Sequence, residues 1–190
     1  MMVSAVTGQD YPAALESLVL DPLGLRQTSL PLNNLMPRPY LHGYEVAPPK
    51  APQDISQAIA MAWLGASGGI VSTPAELNRF ARAYAGAKLF SRDVQTQQLQ
   101  LVRGTSEPPG PGRNRAGLGI VRYDTRCGTV FGHTGNFPGY SAFFASTLDG
   151  SRSLAVSATE QLSESLEGLQ LRAWRALRAV EEDAVCAALA

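Results

Sequence analysis

The chain has 190 residues, 45% hydrophobic and 17% charged, with sixteen basic and sixteen acidic side chains. This is ordinary for a soluble globular protein and long enough for one domain with a real core, since a chain of this size buries about 70% of its unfolded surface. A net charge of zero gives no electrostatic footprint for nucleic acid or an anionic membrane, and no apolar run approaches the ~20 residues of a membrane-spanning helix.

The first stretch, MMVSAVTGQDYPAALESLVL, has no basic n-region and no cleavage site, so it does not read as a signal peptide. It reads as helix from the first residue with no cap before it, the mark expected of a truncated chain. A turn is expected at Thr7-Gly8-Gln9 and a second helix from Tyr11 to about Val19. From Pro31 to Pro52 prolines recur and periodicity is lost, which predicts irregular surface chain. QDISQAIAMAWL is apolar and expected to pack inward, in either helix or strand.

The segment STPAELNRFARAYAG predicts a helix with Thr73 as N-cap, Pro74 in the first helical position and Glu76 completing a capping box. Leu77, Phe80, Ala81 and Tyr84 would line one face, and Gly86 would close it. LFSRDVQTQQLQ predicts a further short helix, and GTSEPPGPGRNRAG a mobile loop.

Beyond that loop the period becomes two. GLGIVRY, GTVFGHTG, YSAFFAST and SLAVSAT read as strands, with a hairpin turn at Asp149-Gly150. The chain closes on an amphipathic helix whose stripe is Leu162, Leu166, Leu169, Ala173, Leu177, Val180 and Ala184. Helices, then an antiparallel sheet, then a covering helix make the fold class α+β.

GASGG at 65–69 spells G-x-S-x-G, which would make Ser67 a nucleophile at a strand-to-helix elbow. The next helix starts only after the Thr73 cap, six residues late, and the strands read as antiparallel, so Ser67 reads as a false elbow. The second chemical stretch is VFGHTGNFPGY at 130–140, a strand with His133 and Thr134 beside glycines. Locally it could also be an ordinary strand end. His42 reads as a loop residue. The two histidines and two cysteines have no zinc-site spacing, no phosphate loop is present, and no metal or cofactor is expected.

Five segments in order, VTGQDYPAALESLVLDPLGLRQTSLP, AWLGASGGIVSTPAELNRFARAY, AGLGIVRY, FGHTGNFPGYSAFFAS and DGSRSLAVSAT, closely resemble the serine β-lactamase-like superfamily. This comprises class C β-lactamases, D-alanyl-D-alanine carboxypeptidases and related esterases. The resemblance implies a single partial domain over 1–190, with helices and loops over 1–115, antiparallel strands over 116–160 and a C-terminal helix over 161–190. The N-terminal helix and first strands of that fold would be missing. It implies that His133, Thr134 and Gly135 form the family's third motif, with His133 or Thr134 placing a substrate carboxylate or polarising the proton relay. The backbone N–H of Asn136 would be an oxyanion donor, Gly135 would leave room for substrate backbone, and Trp63 would line the acyl cleft.

The family's other motifs do not occur. The only lysines, Lys50 and Lys88, have Ala47 and Ala85 three residues before them, which excludes S-x-x-K. Two residues before the five asparagines stand Pro31, Leu32, Glu76, Gly112 and Thr134, which excludes Y-x-N. Without serine and base there is no acyl-enzyme step. The chain alone is therefore expected to be inactive and, with a sheet edge and apolar helix faces uncovered, to aggregate or fold poorly.

By count alone Cys127 and Cys186 read as two buried thiols. The resemblance implies a disulfide between them and thus an exported parent enzyme. Three functional readings follow: a fragment of an acyl-serine hydrolase acting on a β-lactam, D-Ala-D-Ala peptide or ester; a non-catalytic peptide-binding protein; and a complete hydrolase using Ser67 and His133.

Overall fold

The first helices follow from punctuation in the sequence. In the computed structural model, which describes residues 2–59 and 64–190, α1 runs Met2–Thr7 and α2 Tyr11–Leu15. The Asp10 carboxylate caps α2 by accepting from the Ala13 N–H at 2.8 Å. The helix then widens into a π turn over Glu16–Leu20 before α3, Asp21–Leu23. Pro22 has no N–H to give and its ring crowds the carbonyl four residues back, which favours the wider turn. Gly24, left-handed at φ 61°, ends α3 so that Leu25 N–H reaches the Leu20 carbonyl at 2.9 Å. Leu15, Leu20 and Leu25 are thereby gathered into one buried cluster with Phe80 packed on it.

The proline-rich stretch is irregular apart from two short antiparallel strands, β1 (Tyr44–Glu45) and β2 (Gln53–Asp54). The expectation that QDISQAIAMAWL packs inward fails at its start, because β2 is exposed; residues 60–63 lie outside the described residues. Helix α4 spans Pro74–Ala85, with the Thr73 hydroxyl accepting from the Glu76 N–H at 3.3 Å. The reciprocal half of the capping box is absent. Glu76 turns its carboxylate across the fold to the Gln27 N–H at 3.0 Å and the Thr28 hydroxyl at 2.5 Å. Desolvation raises the pKa of this buried group, but those hydrogen bonds outweigh it and the net shift is downward. Gly86 caps α4 with a right-handed φ, and Ala87 takes the left-handed turn at φ 53°.

Helix α5 (Arg92–Gln98) is capped by Ser91. A six-stranded antiparallel meander follows, in the order β3 (Val102–Arg103), β4 (Arg113–Ala116), β5 (Val121–Thr125), β6 (Gly128–Phe137), β7 (Tyr140–Ser146) and β8 (Ser153–Ala158). β3 and β4 lie within the stretch read as helix and loop. The segment expected to be a mobile loop is packed: Ser106, Pro108, Gly110 and Pro111 are buried. A Cβ on Gly110 would stand 2.2 Å from the Tyr123 ring, so glycine there lets the loop close over the tyrosine.

The C-terminal helix α6 runs Gly168–Leu189. Leu162 and Leu166 of the expected stripe precede this helix, which starts at Gly168 and not at 161. Its buried face is Leu177, Glu181 and Val185, whereas Leu169 and Val180 are exposed, so the rest of the stripe is rotated by about one position. Val185 packs with Val121, Tyr123, Val130 and Phe143 on one face of the sheet, and Ala85 of α4 with Ile120 and Phe131 on the other. The sheet thus separates α4 from α6. The outer side of β8 carries no strand among the described residues.

Candidate functional site

The site is set by how far the partners of β6 extend. β5 pairs with Gly128 to Gly132 and stops, whereas β7 pairs with Phe131 to Phe137. Residues 133–137 therefore have a strand on one side only, among the described residues. The turn between β6 and β7 has two residues, Pro138 and Gly139, and closes on the Phe137–Tyr140 pair. Such a turn closes on a hydrogen-bonded pair, and bonding alternates along an antiparallel ladder. The backbone groups of Phe137, Gly135 and His133 thus point to β7. Those of Asn136 and Thr134 point to the free side.

Side chains alternate the other way, between faces. His133 pairs with Phe144, which meets Phe80 of α4 edge-on at 5.9 Å, so His133 is on the α4 face. Its Nδ1 lies 2.7 Å from the Thr134 carbonyl and must donate to it; Nε2 has no partner among the described residues. Thr134 pairs with Phe143 on the α6 face and is buried. Its hydroxyl donates to the Pro108 carbonyl at 2.7 Å. Of the two side chains expected to meet substrate, Thr134 is thus committed to its own chain, and His133 is the one with a free ring nitrogen.

Gly135 has open space around it: an added Cβ would meet Ala142 only at an ordinary 3.5 Å. A glycine in mid-strand costs stability, and the packing of the described residues does not require one here. Asn136 keeps its Oδ1 buried without a partner among the described residues.

Behind the edge lies a polar cluster that sequence reasoning missed. The Ser106 hydroxyl sits 2.9 Å from the Tyr123 hydroxyl and 3.1 Å from the Pro108 carbonyl. Arg178 of α6 donates to the Pro109 carbonyl and to Glu181. Desolvation pushes Glu181 up to about 7 despite the opposing pull of Arg178. Desolvation likewise raises Tyr123 to about 12. The available signal was an Arg and a Glu at i, i+3, which a purely apolar stripe passes over.

Ser67 sits on an exposed 3-10 turn, Gly65–Ser67, and donates to the Leu64 carbonyl at 2.6 Å. It makes no hydrogen bond to His133, so the structure does not assemble the Ser67–His133 pair. Trp63 lies outside the described residues. Cys127 and Cys186 are bonded, with Cα atoms 5.1 Å apart, tying the β5–β6 turn to α6. His42 bonds Asp54 through Nδ1 at 2.6 Å. Its loop reaches the hairpin through the Leu41 carbonyl, which accepts from the Tyr140 hydroxyl at 2.8 Å.

Comparison with known proteins bears on the family and the fold. The Beta-lactamase family matches residues 1–178. A D-stereospecific amidohydrolase from Streptomyces sp. superposes with a TM-score of 0.73 at 29% identity, over 83% of this chain and 46% of its own. The D-amino acid amidase of Ochrobactrum anthropi SV3, complexed with L-phenylalanine amide, gives 0.76 at 19% identity, over 97% and 54%. A penicillin binding protein from Bacillus halodurans gives 0.67 at 14% identity, over 93% and 52%. The last two show the fold alone. The chain spans about half the length of these structures.

Proposed function

The chain belongs to the Beta-lactamase family, and from that membership we propose that it is the substrate-binding part of a serine hydrolase working through an acyl-enzyme. The observation that carries this reading is the free half of β6, with the Asn136 N–H and Thr134 carbonyl turned to the empty side. An extended acyl donor can add to such an edge as a strand. Its carbonyl oxygen would take the Asn136 N–H as the tetrahedral intermediate forms, an interaction whose loss typically costs about 2.7–4 kcal/mol of barrier lowering. His133 Nε2 would meet the substrate's polar end on the α4 face.

In this reading the nucleophile and its base would be supplied from outside these 190 residues, in which S-x-x-K and Y-x-N do not occur. An amide of D configuration is the favoured substrate, by likeness to the D-stereospecific amidohydrolase. The disulfide supports an exported parent enzyme. A second reading, a binding protein that keeps the edge without the nucleophile, draws on the same missing motifs.

The test has two parts. Titrating the chain with D-phenylalanine amide should shift the Asn136 backbone amide resonance without acylation, and a fluorophosphonate should leave Ser67 unlabelled. An unmoved Asn136 amide would remove the edge reading, and a labelled Ser67 would restore the complete-hydrolase one. Reading the DNA in frame upstream of the Met1 codon then separates the first two: S-x-x-K and Y-x-N codons there mean a hydrolase, and a nearby stop means a binding protein.

A further inference from the structure

The segment Glu107-Pro108-Pro109-Gly110-Pro111 runs behind the free edge and contains three prolines. Proline has no N–H, so much of this segment can be held only by its carbonyls. All four carbonyls from Pro108 to Pro111 are held, those of Gly110 and Pro111 by the Asn114 side-chain amide at 3.2 and 3.3 Å. The Pro108 carbonyl accepts from Thr134 at 2.7 Å and from Ser106 at 3.1 Å. The next carbonyl, of Pro109, accepts from Arg178. Arg178 is in turn gripped by Glu181, which is 0% exposed.

A buried ion pair is a poor source of stability, because desolvating two charges offsets most of their attraction, and apolar replacements of both are often neutral or better. Packing alone does not account for charge at these two positions of α6. What an apolar pair could not do is donate to the Pro109 carbonyl. We propose that Arg178 and Glu181 are positioning residues for the substrate edge, acting through the Pro108–Pro109 backbone on Thr134. Glu181 orients the guanidinium, the guanidinium fixes the proline pair, and the proline pair fixes the Thr134 hydroxyl. Thr134 thereby sets the pitch of the strand at the residues whose backbone faces substrate. This role rests on the reading of β6 as the substrate edge.

The decisive variant is the charge-free double substitution R178M/E181L, which leaves no orphaned charge and should fold. Its expected signature is a thermal midpoint close to that of the native chain, a displaced Thr134 γ-methyl resonance and about tenfold weaker binding of D-phenylalanine amide, the scale of one charge-assisted hydrogen bond. T134V should weaken binding comparably, and T134V combined with R178M/E181L should be no worse than either, since all act in one chain of contacts.

A double variant that binds like the native chain with its Thr134 methyl unmoved would overturn the proposal, as would losses that simply add. If the double variant does not fold, R178K gives the same readouts, keeping the charge with fewer donors and predicting an intermediate loss; native values for R178K would overturn the proposal equally. If the native chain itself binds no amide, the edge reading fails while the Thr134 methyl still decides the positioning role: displaced in the variant, it stands; unmoved, it falls.

Discussion

Gly132 and Gly135 stand three residues apart on β6 and meet opposite surroundings. A Cβ on Gly132 would lie 1.9 Å from the Phe144 carbonyl oxygen, whereas one on Gly135 would meet nothing nearer than Ala142 at 3.5 Å. The first glycine is required by the close approach of β7. The second is free of any such demand.

Alanine therefore separates the two. Gly132→Ala should destabilise by about 1–3 kcal/mol or more through forced strand separation. Gly135→Ala should leave stability unchanged or raise it by up to about 1 kcal/mol, yet abolish amide binding by filling the space above the edge. Denaturant melts paired with calorimetric titration check both. A destabilised, fully binding Gly135→Ala would contradict the assignment.

Proline tests the direction of the backbone groups. Asn136→Pro removes an N–H that faces the free side, so the ladder to β7 survives and substrate binding is lost. Gly135→Pro removes a ladder bond and should cost substantially more stability. Equal melting midpoints for the two variants would mean that the alternation has been assigned the wrong way round.

The Glu76 carboxylate has a pKa lowered on folding by Thr28 and Gln27. A lowered folded pKa gives stability that is present above the unfolded value, near 4.5, and lost as pH falls through the folded one. Glu76→Gln should cost about 1–3 kcal/mol at pH 7, with the gap to the native chain closing below pH 4.5. Melts at pH 7 and at pH 3.5 measure that gap.

Glu181 has the opposite sign. Its folded pKa is raised to about 7 by desolvation, with Arg178 opposing. Its favourable contribution is complete below about 4.5 and lost as pH rises through about 7. The stability of the native chain relative to E181Q should fall across that window. Arg178 and Tyr123 face the same pocket and stay protonated throughout it, so the slope belongs to Glu181. A pH-independent difference would show that Glu181 does not titrate there.

Reduction, or Cys127→Ser, should lower stability by about 4 kcal/mol in the chain-entropy account, since the disulfide closes a loop with a sequence separation of 59. Unfolding by denaturant with and without reductant measures it.

Local signals were legible where local chemistry decides. The Thr73 cap, the short helix within LFSRDVQTQQLQ and the change to a two-residue period before the sheet each depend on a few neighbouring residues, and each appears in the structure. The partner of Glu76 was illegible because Gln27 and Thr28 lie 49 and 48 residues away, and a carboxylate in a capping position gives no sign that it will reach elsewhere. The α6 stripe is rotated from its expected position because the buried face includes a charged residue, Glu181, which apolar periodicity does not place inside.

The α+β class and the strand that carries His133, Thr134 and Gly135 were legible in the sequence, and five ordered segments carried the resemblance to the family, whereas the extension of that strand through Asn136 was not. Class and strand follow from period and caps, which are short-range properties of the chain. Tertiary structure alone decided that β5 stops at Gly132, that Thr134 spends its hydroxyl on Pro108 and that Ser67 and His133 do not bond each other. Where a neighbouring strand ends, and which carbonyl a buried hydroxyl finds, depends on segments far apart in sequence meeting in space, and no local pattern encodes that meeting.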